Sequence, residues 1–161
     1  MTVRDAITND ATAISRIYNH YVLHDIATFD LIPVPDSYWT TRIAAADTNK
    51  PFLVLEEADG VTGYAYATDW KSRCAYDRSG ETSVYLAPNL GGAGRGLLLM
   101  EKLLLRLKKA DLHTVIAGVS LPNPASVALH EKLGYQRTGT FREVGFKFGR
   151  WIDVGYWQRF F

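Results

Sequence analysis

The chain has 161 residues, enough for one domain with a real core, and its 47% hydrophobic and 22% charged residues exclude a disordered or fibrous chain. Lys and Arg number 18 against 17 Asp and Glu, and a net charge of +1 lacks the basic excess of a protein that grips nucleic-acid phosphates. No apolar stretch approaches the ~20 residues of a membrane span, and the lone Cys74 can form neither an internal disulfide nor a thiolate metal cluster. The opening MTVRDAITND carries no apolar signal-peptide run. These features lead us to expect a cytoplasmic, single-domain protein spanning 1–161, whose partner is a small molecule or another protein, with no role for nucleic acid or membrane.

TVRDAIT is short and β-branched and reads as a first strand. Asn9 or Asp10 can cap a helix to about His24, with Ile14, Ile17, Tyr18 and Tyr21 at helical spacing. After the turn IPVPD, a second helix is expected from Ser37 to about Ala46, capped by Asp36. PFLVLEE, ADG and VTGYAYATDW read as two strands joined by a hairpin turn. The polar loop KSRCAYDRSG follows, then the strand ETSVYLA, which Pro88 ends. GGAGRG opens the strongest helix, LLLMEKLLLRLKKA, whose expected buried stripe is Leu97, Met100, Leu104 and Leu107. HTVIAGVS is a strand, NPASVALHEKLG a helix closed by Gly134, and YQRTGTF and WIDVGYWQRFF supply two last strands. The order β-α-α-β-β-β-α-β-α-β-β calls for an α/β or α+β sandwich, a mixed central sheet flanked by helices.

The most chemical feature is the strand–glycine–helix junction over 91–96, with four glycines in six residues. Glycines admit positive φ and close backbone approach, so successive N–H groups can line one concavity at the positive end of a helix dipole. A phosphate or pyrophosphate suits that geometry, and so does a bare flexible turn. A Walker loop needs Lys followed by Ser or Thr, whereas Leu97 and Leu98 stand here; the dinucleotide fingerprint fails at its third glycine, which would be Leu97.

In its element order and glycine loop the chain resembles the GNAT acetyltransferase superfamily, and more narrowly the phosphinothricin and methionine sulfoximine N-acetyltransferases. The resemblance is carried by IYNHYV (17–22), ATFD (27–30), GYAYA (63–67), K-x-R-x-A-Y (71–76), E-x-S-V-Y-L (81–86), LPNPAS (121–126), ALHEKLGY (128–135) and GFKFGRWIDVGYWQ (145–158). It implies the acyl-CoA N-acyltransferase fold, acetyl-CoA as cosubstrate and no metal. It also implies acetylation of the α-amine of a small amino acid or analogue, and a homodimer that buries the aromatic C-terminal region. Three positions depart from the family pattern: Gly91 where Gln or Arg is usual, Ala93 where Arg is frequent, and Arg78 where an aromatic is common.

An ammonium must lose a proton before it attacks a thioester, and a carboxylate near the fourth strand can act as the general base, directly or through a water. The resemblance assigns this role to Glu81, which on the residues alone is a strand-end glutamate. It assigns the pantetheine arm and the polarised carbonyl to the main chain of Val84, Tyr85 and Leu86. The pyrophosphate falls to Gly92, Ala93, Gly94, Arg95, Gly96 and Leu97. Asn123 either caps its helix or holds the CoA arm, roles that are compatible. His130 is either a proton donor or a structural histidine, and Lys132 either meets a CoA phosphate or lies on a solvated helix face. Arg73 offers a fork for an anionic acceptor or is a loop charge. The resemblance puts Phe29 and Tyr76 at the walls of the acceptor pocket, with Cys74 and Ala75 lining it. His20 and His24 share helical spacing but lack any HExxH pattern, so no metal is expected. The alternatives to an amino-acid acetyltransferase are a CoA-binding sensor or scaffold on the same fold, and an acetyltransferase for a different amine.

Overall fold

The computed structural model describes residues 1–161. Seven strands form one sheet: β1 (Thr2–Asp5), β2 (Phe52–Glu57), β3 (Gly60–Asp69), β4 (Ser79–Leu86), β5 (Thr114–Ser120), β6 (Gln136–Lys147) and β7 (Arg150–Phe160), in the order β1-β2-β3-β4-β5-β7-β6. The helices are α1 (Ala11–His24), α2 (Asp36–Ala44), α3 (Arg95–Lys109) and α4 (Pro124–Lys132). Every neighbouring pair of strands is antiparallel except β4 and β5. The expected element order and mixed α/β sheet are what is found.

The middle of the sheet is buried on both faces, which explains the apolar run FLVL of 52–55. Leu53 and Leu55 of β2 join Ala65 and Ala67 of β3 beneath α3, while Phe52, Val54, Tyr64 and Tyr66 face α1 and α2. Size is divided between the two faces. Gly63 of β3 is so close to Leu86 and Leu99 that an added Cβ would lie 2.6 Å from one and 3.2 Å from the other, so α3 can settle closely on this side. The opposite face carries a stacked series of Phe52, Tyr64 and Tyr66, against which Trp39 of α2 packs edge-on.

Some details differ from the sequence expectation: Asp10 stands at the N-cap of α1 but makes no side-chain cap there, its carboxylate accepting instead from Arg4 and the Ile7 amide. The buried stripe of α3 is Leu99, Met100, Leu103, Leu104 and Leu107. Leu97 is only half-buried because the first turn of this helix faces an open slot. Asp36 does not cap α2: it is the first helical residue, after Pro35, and its carboxylate accepts a 2.6 Å bond from the Thr12 hydroxyl.

Trp39 is buried, yet its Nε1–H has no acceptor. An unmet buried donor costs about 1–3 kcal/mol, so Trp39→Phe removes a liability along with some volume. Trp39→Ala should lower stability by about 3–5 kcal/mol. Urea denaturation should show Trp39→Phe losing less than half as much as Trp39→Ala.

Candidate active site

β4 and β5 run parallel and pair at Ser79 with Thr114, Gly80 with Val115 and Glu81 with Ile116, and there the pairing stops. β4 continues to Leu86 and β5 to Ser120 without further ladder pairing, so the main-chain groups of β4 that face β5 beyond Glu81 have no strand partner. On its other edge β4 stays paired to β3 through Leu86, and Tyr21 of α1 donates its hydroxyl to the Leu86 carbonyl at 2.7 Å. The parting opens a cleft of about 920 Å³ through the sheet, near the upper end for small-ligand sites. Its walls include Thr82–Ala87, Gly118–Ser120, the glycine loop and the N-terminus of α4.

The glycine loop lies at the open end of this cleft. Gly92 and Gly94 have φ of +86° and +77°, values that an L side chain adopts only with strain, and Cβ atoms there would meet nothing within 4 Å. Gly94 is the N-cap of α3 and no side chain caps that end, so the first amide donors of a 15-residue helix are free to meet an anion. Gly96 has a different reason to be glycine: a Cβ there would lie 3.2 Å from Leu129, so it lets α3 pack on α4. Of the residues expected around the pyrophosphate, Gly92, Gly94, Gly96 and Leu97 line the cleft. Arg95 does not. Its guanidinium is held in a two-pronged pair with Glu57, at 2.8 and 3.2 Å.

Asn123 caps α4 by accepting the Ser126 amide at 3.1 Å through Oδ1, and it also lines the cleft, where its Nδ2 makes no protein hydrogen bond. Lys132 stands exposed on the rim without an ion pair. His130 is buried against the edge of Tyr135. Its Nδ1 lies 2.8 Å from the Ser126 carbonyl, which can only accept, so Nδ1 carries the proton and Nε2 the lone pair. Nε2 is buried with no partner, and burial lowers the pKa of the ring.

Glu81 is the last residue of β4 paired to β5, at the closed end of the parting. Its half-buried carboxylate forms no hydrogen bond or salt bridge. Burial raises its pKa, and Lys71 opposes the rise. The next strand offers Gly118, an exposed position in the middle of a central strand. A Cβ at Gly118 would lie 3.8 Å from Glu81 Oε1 and 3.2 Å from Cε1 of Tyr156, the residue across the strands. Tyr156 in turn meets Trp70 and Phe141 edge-on. The result is a bare-backbone trough with an aromatic wall beside an unpaired carboxylate. A glycine inside a strand signals close backbone approach, so Gly118 could have been singled out from sequence; Tyr156 and Trp70 carried no such signal.

The 71–78 loop stands apart from the cleft. Arg73, Cys74, Ala75 and Tyr76 are exposed around a 3-10 turn, and Arg73 has no partner. Arg78, the departure from the family pattern, bonds both the carboxylate and the carbonyl of Asp111, fastening the base of the loop to the α3–β5 turn. Phe29 lies against Gly145 of β6 and does not line the cleft either.

A family model described as acetyltransferase (GNAT) domain matches residues 3–155. The chain belongs to the GNAT acetyltransferase family. This GNAT chain is 38% identical to phosphinothricin N-acetyltransferase of Streptomyces viridochromogenes, covering 99% of the chain and 87% of the relative. It is also 38% identical to L-methionine sulfoximine/L-methionine sulfone acetyltransferase of Salmonella typhimurium, covering 98% and 93%. Among solved structures, a phosphinothricin acetyltransferase from Sinorhizobium meliloti in complex with acetyl-CoA superposes with a TM-score of 0.93 at 35% identity, over 98% of this chain and 86% of that one. The GNAT chain is an acetyl-CoA-dependent N-acetyltransferase, and its uncapped helix N-terminus and unpaired strand edge fit the anionic and amide-bearing parts of that cosubstrate.

The glycines predict a graded effect. Gly94→Ala forces a side chain into positive φ at a cost of about 1–2 kcal/mol, while Gly91 has no positive φ and open space around it. By calorimetry, Gly94→Ala should weaken acetyl-CoA binding about tenfold, and Gly91→Ala should leave it within about twofold.

Proposed function

We propose that this enzyme acetylates the α-amine of a small amino acid or analogue, of the phosphinothricin or methionine sulfoximine type, by direct attack with Glu81 as general base. The observation that carries the reading is the Glu81 carboxylate: half-buried, unpaired, raised in pKa, and beside the exposed trough at Gly118 where β4 and β5 part. The names of the relatives at 38% identity support the acceptor class.

In this reading acetyl-CoA, when bound, supplies the activated acetyl thioester. The free amides of α3 and the open loop at Gly92 and Gly94 hold its pyrophosphate. The unpartnered N–H groups of β4 beyond Glu81, within Val84, Tyr85 and Leu86, are available to the arm and to the thioester carbonyl oxygen, where negative charge develops. Nδ2 of Asn123 and the Lys132 ammonium are the side-chain donors on the α4 wall. Glu81 takes the proton that frees the lone pair of the amine, directly or through a water. His130 belongs to the cleft, but burial keeps it neutral, which favours an acceptor over the proton-donor role implied by the resemblance. An unperturbed thiol has a pKa near ~8.5 and leaves without obligatory acid help. Arg73 has five free donors on an exposed loop and is the side chain we assign to the acceptor's anionic group, with Phe29 and Tyr76 as apolar walls.

Exposed apolar side chains along β6 and β7, namely Phe141, Val144, Phe146 and Trp151, support a homodimer through that hairpin. The exposed free thiol of Cys74 fits a reducing compartment and hence the cytoplasm.

Because the folded state raises the pKa of Glu81, ionising it costs stability as pH rises through that value. Glu81→Gln should therefore hold or raise Tm at pH 7.5. In a thiol-release assay on an amino-acid panel, the same variant should lose about 100-fold or more in kcat and lose the ascending limb of the pH–rate profile. An unchanged kcat removes Glu81 from the mechanism. Arg73→Ala should raise the acceptor KM about tenfold with acetyl-CoA affinity intact; an equal effect on both would contradict its assignment.

A further inference from the structure

The segment between α1 and α2, residues 25–35, has no helix or strand, so its carbonyls must find donors elsewhere. One buried side chain meets two of them, together with a carbonyl at the end of α1. Lys147, at the end of β6 and 2% exposed, reaches across to α1. Its Nζ donates to the carbonyls of Tyr21 at 3.0 Å, Asp25 at 2.6 Å and Thr28 at 2.8 Å. An ammonium has three protons, and here all three are used. The site is also favourable for a cation: it lies at the carbonyl end of α1, and Asp25 and Asp30 partly offset the desolvation. Ala27, between these contacts, gives its carbonyl to the Tyr85 hydroxyl at 3.3 Å.

The same hairpin makes a second contact with the segment. Gly145 lies directly under Phe29, and a Cβ there would overlap the ring. Just past Lys147, Phe148 and Arg150 line the cleft, as do Asp25, Ile26 and Ala27 from the segment. Lys147 therefore joins two walls of one opening. A buried ammonium is costly unless fully hydrogen-bonded, and a saturated one has nothing left to offer a substrate.

We propose that Lys147 is a positioning residue for acceptor binding: it ties the β6–β7 hairpin to residues 25–30 and thereby fixes Phe29 against Gly145. The proposal rests on the acetyltransferase reading above, with Phe29 as a wall of the amine site. It separates the two substrates, because the glycine loop and α4, to which acetyl-CoA is assigned, make no hydrogen bond with Lys147.

The test uses the whole enzyme and two variants. Lys147→Met keeps the stem and removes the charge; Gly145→Ala keeps the ammonium and displaces Phe29. Both should raise the acceptor KM about tenfold or more, with kcat at saturating acceptor within about threefold. The calorimetric Kd for acetyl-CoA should stay within about twofold of wild type. Amide hydrogen exchange over residues 25–30 should quicken in Lys147→Met. If Lys147→Met fails to fold, Gly145→Ala carries the kinetic comparison alone. An acceptor KM that does not move, or an acetyl-CoA Kd that weakens equally with it, overturns the proposal. Wild-type enzyme that releases no thiol with any amino acid overturns the acceptor reading instead, a result distinguishable from variants that bind acceptor normally.

Discussion

The site depends on one interruption in hydrogen bonding. Three residue pairs hold β4 against β5, and past Glu81 and Ile116 the strands separate. Unpaired main-chain groups inside a protein are costly, so the gap persists only because its edges are supported from outside: β3 holds β4 along its full length, β7 holds β5, and Tyr21 takes the Leu86 carbonyl. From that gap follow the cleft through the sheet, the free donors along β4, and the position of the α3 and α4 N-termini at its open end. At the closed end the same gap leaves Glu81 beside bare backbone.

How much of this was legible in the sequence depends on the range of the interaction. The glycine loop, the Asn123 cap and the order of elements are local patterns, and they appear in the fold as read. The family resemblance then assigned chemistry to Glu81 that an isolated strand-end glutamate does not announce. What stayed hidden was pairing between distant segments. ETSVYLA reads as an ordinary strand because nothing in its alternation says where a neighbour will leave it.

The same limit explains the side chains that went elsewhere. Arg95 stands in the glycine loop, but Glu57, thirty-eight residues away in sequence, claims its guanidinium. Leu97 fits the helical stripe by spacing, yet the stripe is set by where α3 touches the sheet, and its first turn overhangs the cleft. Gly118 and Gly145 were unremarked for the opposite reason. Each is defined by what leans over it: Tyr156 and Glu81 at one, Phe29 at the other.

Two ionisable groups show how this fold separates structure from reactivity. Lys147 and Glu81 are both withdrawn from water, and both have pKa values moved toward their neutral forms by desolvation. Lys147 is given three carbonyls, the full number it can use, and becomes a tie between two segments. Glu81 is given none. A carboxylate without donors is the more basic for it, and it keeps its oxygens free for a proton brought by something else. Saturation makes a buried charge structural, and the lack of it leaves a group able to react. In this acetyltransferase the two conditions are met on two strands of one sheet.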